Sequence, residues 1–232
     1  MQKIDEKLNN VTARVRTAAE KAGRDPAQVA LIAVSKTRPA EALEQAYRAG
    51  QRRFGENYLQ EALDKQAALA HLPDLEWHFI GPIQSNKTRA IAEHFAWVHS
   101  VDREKIARRL SDQRPASEPP LQICLQVNLD DEPSKAGISL EQLPELARAV
   151  NEMPAVTLRG LMAIPAPQTD FNDQRASFAR LREAMESLNA RGLTLDTLSM
   201  GMSADLEAAV AEGATQVRVG TDIFGPREPA QP

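Results

Sequence analysis

Lys36 stands in "IAVSKTRPA", residues 32–40, between an apolar run that reads as the end of a buried strand and a Pro-led segment that reads as the start of a helix. A neutral lysine amine attacks carbonyl carbon, and a cavity that desolvates the ammonium lowers its pKa toward that neutral form. Two later segments carry a different chemistry. "SMGMSADL" offers Ser199, Gly201 and Ser203 ahead of a helix, and "VGTDIFG" offers Gly220 and Thr221. Backbone N–H groups at a helix start, with hydroxyls beside them, form an anion site suited to phosphate. Each feature also has a plainer reading: a solvated lysine at a strand end, and glycine and serine serving local turns.

Whether these groups meet depends on the elements that carry them. Short β-like runs occur at 31–35, 53–54, 77–80, 97–99, 122–128, 157–162, 197–200 and 216–219, which makes eight candidate strands. Runs such as "LQICLQV" are apolar on nearly every residue, as strands with both faces covered are. Helical patterns lie between them. Residues 39–50 open on Pro39 and close on Gly50, residues 140–153 and 171–192 carry helix-period apolar residues, and residues 203–213 have Ser203 as N-cap candidate. A further helix over about 3–22 precedes the first strand. Alternating strands and helices imply a parallel sheet, and eight such units imply a single (β/α)8 barrel spanning 1–232, at the small end of that fold's range. The alternative is a doubly wound open sheet, since the second and fourth runs are short. "RPASEPP", residues 114–120, reads as a surface loop because the alternation continues on both sides, and the tail 227–232 reads as frayed.

In a closed barrel the first strand neighbours the last, and the C-terminal strand ends carry the chemistry. Lys36 and the two candidate phosphate loops then face one mouth. That is the layout for pyridoxal phosphate, anchored by its phosphate and joined through its aldehyde to a lysine as a Schiff base. The remaining reactive side chains read as structural. His71, His78, His94 and His99 have no metal-binding spacing, Cys124 lies within an apolar strand, and Trp77 and Trp97 begin strands and read as core. The run Asp130, Asp131, Glu132 reads as a solvated loop as readily as a metal site.

Composition narrows the setting. With 42% hydrophobic and 26% charged residues the chain can bury a sizeable core and stay soluble. A net charge of −4 without a basic block argues against nucleic acid, and no apolar run reaches membrane-spanning length, which argues against a membrane. One cysteine fits a reducing, cytoplasmic setting, and the charged N-terminus has no signal-peptide core.

"AVSKTRP", "FGENYLQE", "HFIGPIQSNK", "VNLDDEPSKAGI", "RGLMAIP", "LSMGMSADLEAAVAEGAT" and "VRVGTDIFG" occur in this order between about 31 and 225, and together they resemble the YggS/PROSC family of pyridoxal phosphate homeostasis proteins. The resemblance implies a monomeric (β/α)8 barrel of the fold-type III kind, similar to the N-terminal domain of bacterial alanine racemase. It implies Lys36 as the Schiff-base lysine and Arg218 facing the pyridine nitrogen. Ser199, Met200, Ser203, Gly220 and Thr221 fall where the phosphate is held, and Asn57 near the ring. Tyr58 and Leu59 fall at variable positions and receive no role. Pro133 stands where relatives more often have a polar residue. Lys135 resembles a second functional lysine of the family, and reads equally as a mobile surface lysine.

An arginine only donates hydrogen bonds and stays charged, so it keeps the ring nitrogen unprotonated and weakens the ring as an electron sink. Racemases tolerate such an arginine, but their second base is a tyrosine from a separate β domain. This chain ends soon after the eighth strand, and its two tyrosines are Tyr47 and Tyr58. The expectation is a pyridoxal phosphate binder that buffers or delivers the cofactor, with PLP-dependent apoenzymes as recipients. The alternatives are a weak amino-acid racemase and, from the phosphate loops alone, a barrel enzyme acting on a phosphorylated metabolite.

Overall fold

The computed structural model describes residues 3–226, so the expected fraying of 227–232 lies outside the described residues. Eight parallel strands close into a barrel in sequence order: β1 Ala30–Val34, β2 Arg53–Glu56, β3 Glu76–Phe79, β4 Trp97–Val101, β5 Leu121–Gln126, β6 Val156–Met162, β7 Thr197–Ser199 and β8 Gln216–Val219. Closure comes from β1 pairing with β8, with Ile32 opposite Arg218. The open-sheet alternative is thereby excluded, and the short second and fourth runs are true strands.

Helices cover the barrel. They are α1 Ile4–Lys21, α2 Ala40–Arg48, α3 Leu59–Ala68, α4 Thr88–His94, α5 Glu104–Gln113, α6 Leu143–Asn151, α7 Phe171–Ala190, α8 Leu206–Ala211 and α9 Thr221–Phe224. The outward side chains of the strands, including Ala33, Phe54, Phe79, Val98, Ile123, Leu161, Leu198 and Val217, bury against the apolar helix faces and form one continuous core. α1 adds Leu8, Val11, Val15, Ala18 and Ala19 to that layer and packs beside α8 and α9. α7 starts where Asp170 accepts from the N–H groups of Asn172 and Asp173, an N-cap the sequence reading did not single out. It ends before Gly192, whose φ of +102° suits a glycine C-cap. α8 departs from expectation. Ser203 does not cap it: the helix begins at Leu206, and Asp205 instead accepts from the Met202 N–H, closing a tight turn before it.

The barrel lumen is polar toward β3, β4, β7 and β8. His78, His99, Thr197, Ser199, Gln216 and Arg218 are all buried, with Trp97, Cys124 and Met162 packed as a separate small cluster. Trp97 is therefore core, but of the lumen rather than of the helix layer. Burial pushes the Cys124 thiol up to about 12, so it stays protonated and acts as packing. Burial pushes both His78 and His99 below their ordinary value, His99 further because His78 and Arg218 add repulsion.

The sign of the pH effect follows. Below about pH 6.5 the unfolded chain takes up protons that the folded rings refuse, so stability falls as pH drops from there toward the folded values. The denaturant midpoint should decline from pH 7.5 to 5.5 while the ring NMR shifts of His78 and His99 stay flat in the folded protein. A folded-state titration of either ring near 6.5 would contradict this.

Candidate functional site

Lys36 lies half-buried two residues beyond the last residue of β1. Arg218 points into the lumen, since it reaches Ser199 on β7 and Ala163 just past β6. Side chains alternate along a strand, so Ile32, opposite Arg218, shares the inward side with Val34. Lys36 follows in the turn beyond β1, the strand that pairs with the Arg218 strand β8.

The backbone around Lys36 is clamped on both sides. Lys65, buried on α3, donates to the Ser35 carbonyl at 2.7 Å, to Glu56 Oε1 at 2.7 Å and to Glu61 Oε1 at 2.6 Å. Ser35 Oγ donates to the same Glu56 oxygen at 2.7 Å, and Glu61 Oε1 accepts the Thr37 N–H at 2.5 Å. The turn this clamp secures includes Thr37 at φ +65°, left-handed backbone that a β-branched residue rarely adopts. Burial pushes the Glu56 carboxyl up, with Lys65 and Ser35 pulling it back. A second tie joins this turn to the segment after α9, at the same mouth of the barrel, where Arg38 donates to the Gly225 carbonyl at 2.6 Å.

Arg218 is buried, at 4% exposed. Burial lowers it to about 10, with Asp205 opposing, which still leaves a cation at neutral pH. It donates to Ser199 Oγ at 2.6 Å and to the Ala163 carbonyl at 3.2 Å, and its backbone N–H donates to the Gly201 carbonyl. Gly201 permits that approach: its φ is +98°, and a Cβ there would meet the Ala209 Cβ at 2.6 Å.

The two candidate anion loops follow β7 and β8. Ser203 and Thr221 lie within them, and Gly220 precedes α9 with the Val34 carbonyl 3.2 Å from where a Cβ would sit. Arg14 of α1 fastens both loops, donating to the Ser203 carbonyl at 2.9 Å, to Glu207 at 2.8 Å and to Asp222 at 2.7 Å. Two expected phosphate residues have other partners. The Ser199 hydroxyl is fully buried between Arg218 and His99. The Met200 side chain is buried in the core and its N–H donates to the Gln216 carbonyl, so neither offers a donor to a phosphate.

Asn57 follows β2 on the inward side, and its Oδ1 is buried with no partner among the described residues. Its position is fixed by Gly81, where any Cβ would collide with the Asn57 backbone. Tyr58 is exposed, while Tyr47 donates to Asp74 at 2.7 Å on the outside of the barrel, with Arg52 over its ring. Lys135 pairs with Asp130 at 3.2 Å and Glu132 at 3.3 Å. The Asp130 hydrogen bond is the main cause that raises its pKa and keeps it an ammonium. No group of three or more metal-type ligands gathers among the described residues, and no helix among them is long and apolar enough to cross a membrane.

The sequence reading missed Glu56, Glu61, Lys65, Arg14 and His99 as parts of this site. Glu61 and Lys65 had a signal, an i,i+4 acid–base pair in "ENYLQEALDK". Arg14 and His99 had none, because their partners lie 189 and 100 residues away.

Residues 7–228 match the alanine racemase, N-terminal domain family. The chain is 64% identical over 232 residues to a protein of Pseudomonas aeruginosa named pyridoxal phosphate homeostasis protein, covering 100% of this chain and 99% of the relative. It is 52% identical to the protein of the same name in Escherichia coli K12, covering 98% of each. Among solved structures it resembles PipY of Synechococcus elongatus PCC7942 with PLP bound, at 42% identity and a TM-score of 0.85, over 96% of this chain and 100% of that one.

Proposed function

We propose that this chain, which belongs to the pyridoxal phosphate homeostasis proteins and carries the alanine racemase N-terminal domain, holds pyridoxal 5'-phosphate on Lys36 as a Schiff base and buffers or delivers it without appreciable turnover. The residues present fit the cofactor. Lys36 supplies the amine, Arg218 a buried cation for the pyridine nitrogen, and Asn57 an unpartnered polar end beside the ring. Ser203, Gly220 and Thr221 are the residues that would take the phosphate. When bound, the cofactor supplies an aldehyde to the lysine and an electron sink to any amino acid that replaces it.

The non-catalytic reading is carried against racemisation by the placement of the two tyrosines, Tyr47 bonded to Asp74 and Tyr58 exposed, and against most other pyridoxal chemistry by Arg218. Its guanidinium is fixed by two hydrogen bonds and stays charged, so it faces the pyridine nitrogen as a donor only and leaves it unprotonated. The sink is weak from the outset. Racemisation further needs a second base opposite Lys36. Tyr47 is engaged with Asp74 outside the barrel, and Tyr58 stands exposed at the start of α3. In the same reading the protein acts as a cytoplasmic monomer and PLP-dependent apoenzymes collect the cargo. The single, buried cysteine agrees with a reducing compartment.

The test is α-proton exchange. Protein loaded with pyridoxal phosphate is given alanine or serine in heavy water, and the α-proton signal is followed by NMR. Exchange no faster than with free cofactor is expected. Faster exchange that vanishes in Lys36→Ala would establish the racemase reading instead.

A further inference from the structure

The polar lumen contains a continuous line of side chains that crosses the barrel. Arg218 Nη1 lies 2.6 Å from Ser199 Oγ, Ser199 Oγ 2.7 Å from His99 Nδ1, His99 Nε2 2.8 Å from His78 Nδ1, and His78 Nε2 2.8 Å from Glu76 Oε1. The line starts at the cation beneath the mouth and ends at the first residue of β3, at the opposite rim, where Arg53 of β2 also reaches Glu76 at 3.3 Å.

A neutral imidazole has one donor and one acceptor, so with both rings neutral the carboxylate at one end fixes a single direction of donation. Glu76 only accepts, so His78 donates to it from Nε2 and accepts at Nδ1. His99 then donates from Nε2 and accepts at Nδ1, and the Ser199 hydroxyl donates to His99 while accepting from Arg218, which has donors only. The carboxylate is the terminal acceptor, and its bond to His78 is the main cause that holds its pKa below the usual range. Every polar atom of both rings is used. Charging His99 would put a proton on Nδ1 and reverse its bond to Ser199, and charging His78 would force His99 into the opposite tautomer and reverse that same bond. Full burial of both rings and the arginines at the two ends, Arg218 and Arg53, oppose a charge on them, while Trp97 stacks on His78 at 5.6 Å between centroids.

We propose that Ser199, His99, His78 and Glu76 form a one-way hydrogen-bond relay that positions the Arg218 guanidinium from the far end of the barrel. This rests on the reading that Arg218 faces the cofactor ring. The relay orients the Ser199 lone pair toward Nη1, and the Ala163 carbonyl holds Nη2, so the guanidinium plane is set before any ligand arrives. His99, His78 and Glu76 are then positioning residues, none of which need touch the cofactor.

Two measurements test it, and the first needs no cofactor. A long-range proton–nitrogen correlation spectrum of 15N-labelled protein should show both rings neutral, protonated at Nε2 and bare at Nδ1. A ring protonated at Nδ1, or charged, overturns the relay whether or not the chain binds pyridoxal phosphate. The second compares His99→Leu with His99→Gln, whose amide can accept from Ser199 and donate to His78. Each is checked for native circular dichroism. His99→Leu should split or broaden the Arg218 side-chain NMR signals in the free protein and weaken retention of pyridoxal phosphate about tenfold, and His99→Gln should restore both. Unchanged Arg218 signals in a folded His99→Leu protein would overturn the positioning role. Unchanged signals and tautomers in Glu76→Leu would remove Glu76 from it.

Discussion

Replacing Lys36 with alanine abolishes covalent loading. Wild-type protein equilibrated with pyridoxal phosphate, reduced with borohydride and denatured, gains one pyridoxyl group by mass; Lys36→Ala gains none. The expected effect is complete because the two lysines that would compete near the site, Lys135 and Lys65, are held by other partners. Lys135 is the rival that the family resemblance raises, yet its ammonium is paired with Asp130 and Glu132, which favour the protonated form that cannot attack an aldehyde. Lys65 is buried behind the Lys36 turn, with its donors on Ser35, Glu56 and Glu61. Noncovalent binding of the cofactor should survive in the variant at reduced affinity, since Arg218 and the two candidate anion loops are untouched. Retention of the label in Lys36→Ala would assign the chemistry to another amine.

The second large effect is on stability. Lys65→Met leaves the Glu56 carboxylate buried with no cation, and breaking a buried pair from one side costs about 3–5 kcal/mol. The two charges do different amounts of work. Glu56 is fully buried and burial alone disfavours its ionised form, so Lys65 compensates a cost more than it adds stability. The double variant Glu56→Gln/Lys65→Met should therefore recover a large part of the loss, although Glu61 and the Ser35 carbonyl remain without their donor. Urea midpoints read this directly. A single variant within about 1 kcal/mol of wild type would show that the pair is water-penetrated and the clamp weak. In the double variant, folded but without the clamp, Lys36 should load more slowly, because Thr37 no longer has an organised partner to hold it at φ +65°.

The barrel was legible because short strand-like runs, apolar toward the helices, alternate eight times with helical patterns, and because the β1–β8 closure needs no signal beyond the count of eight. Lys36, Asn57 and Arg218 were legible as types at strand ends. Their supports were not. Ser199 reads in sequence as a phosphate-loop hydroxyl, and only the fold brings His99 and Arg218 to it from β4 and β8. His78 reads as a satisfied core or barrel-mouth histidine and is buried in the lumen, but periodicity cannot tell that it bonds to His99. Ser203 reads as an N-cap because a serine stands before an apolar helical pattern. The turn closed by Asp205 delays the helix to Leu206, a choice between two caps that local sequence does not decide.

The central claim is that Lys36 holds the cofactor, and the most direct measurement is the site of attachment in the wild-type protein. Loaded protein is reduced with borohydride, digested, and the pyridoxyl group located by tandem mass spectrometry. The account predicts the label on the peptide carrying "AVSKTRP", at Lys36, and none on the peptide carrying Lys135. A label on any other lysine, or no label on protein that demonstrably retains pyridoxal phosphate, would contradict it.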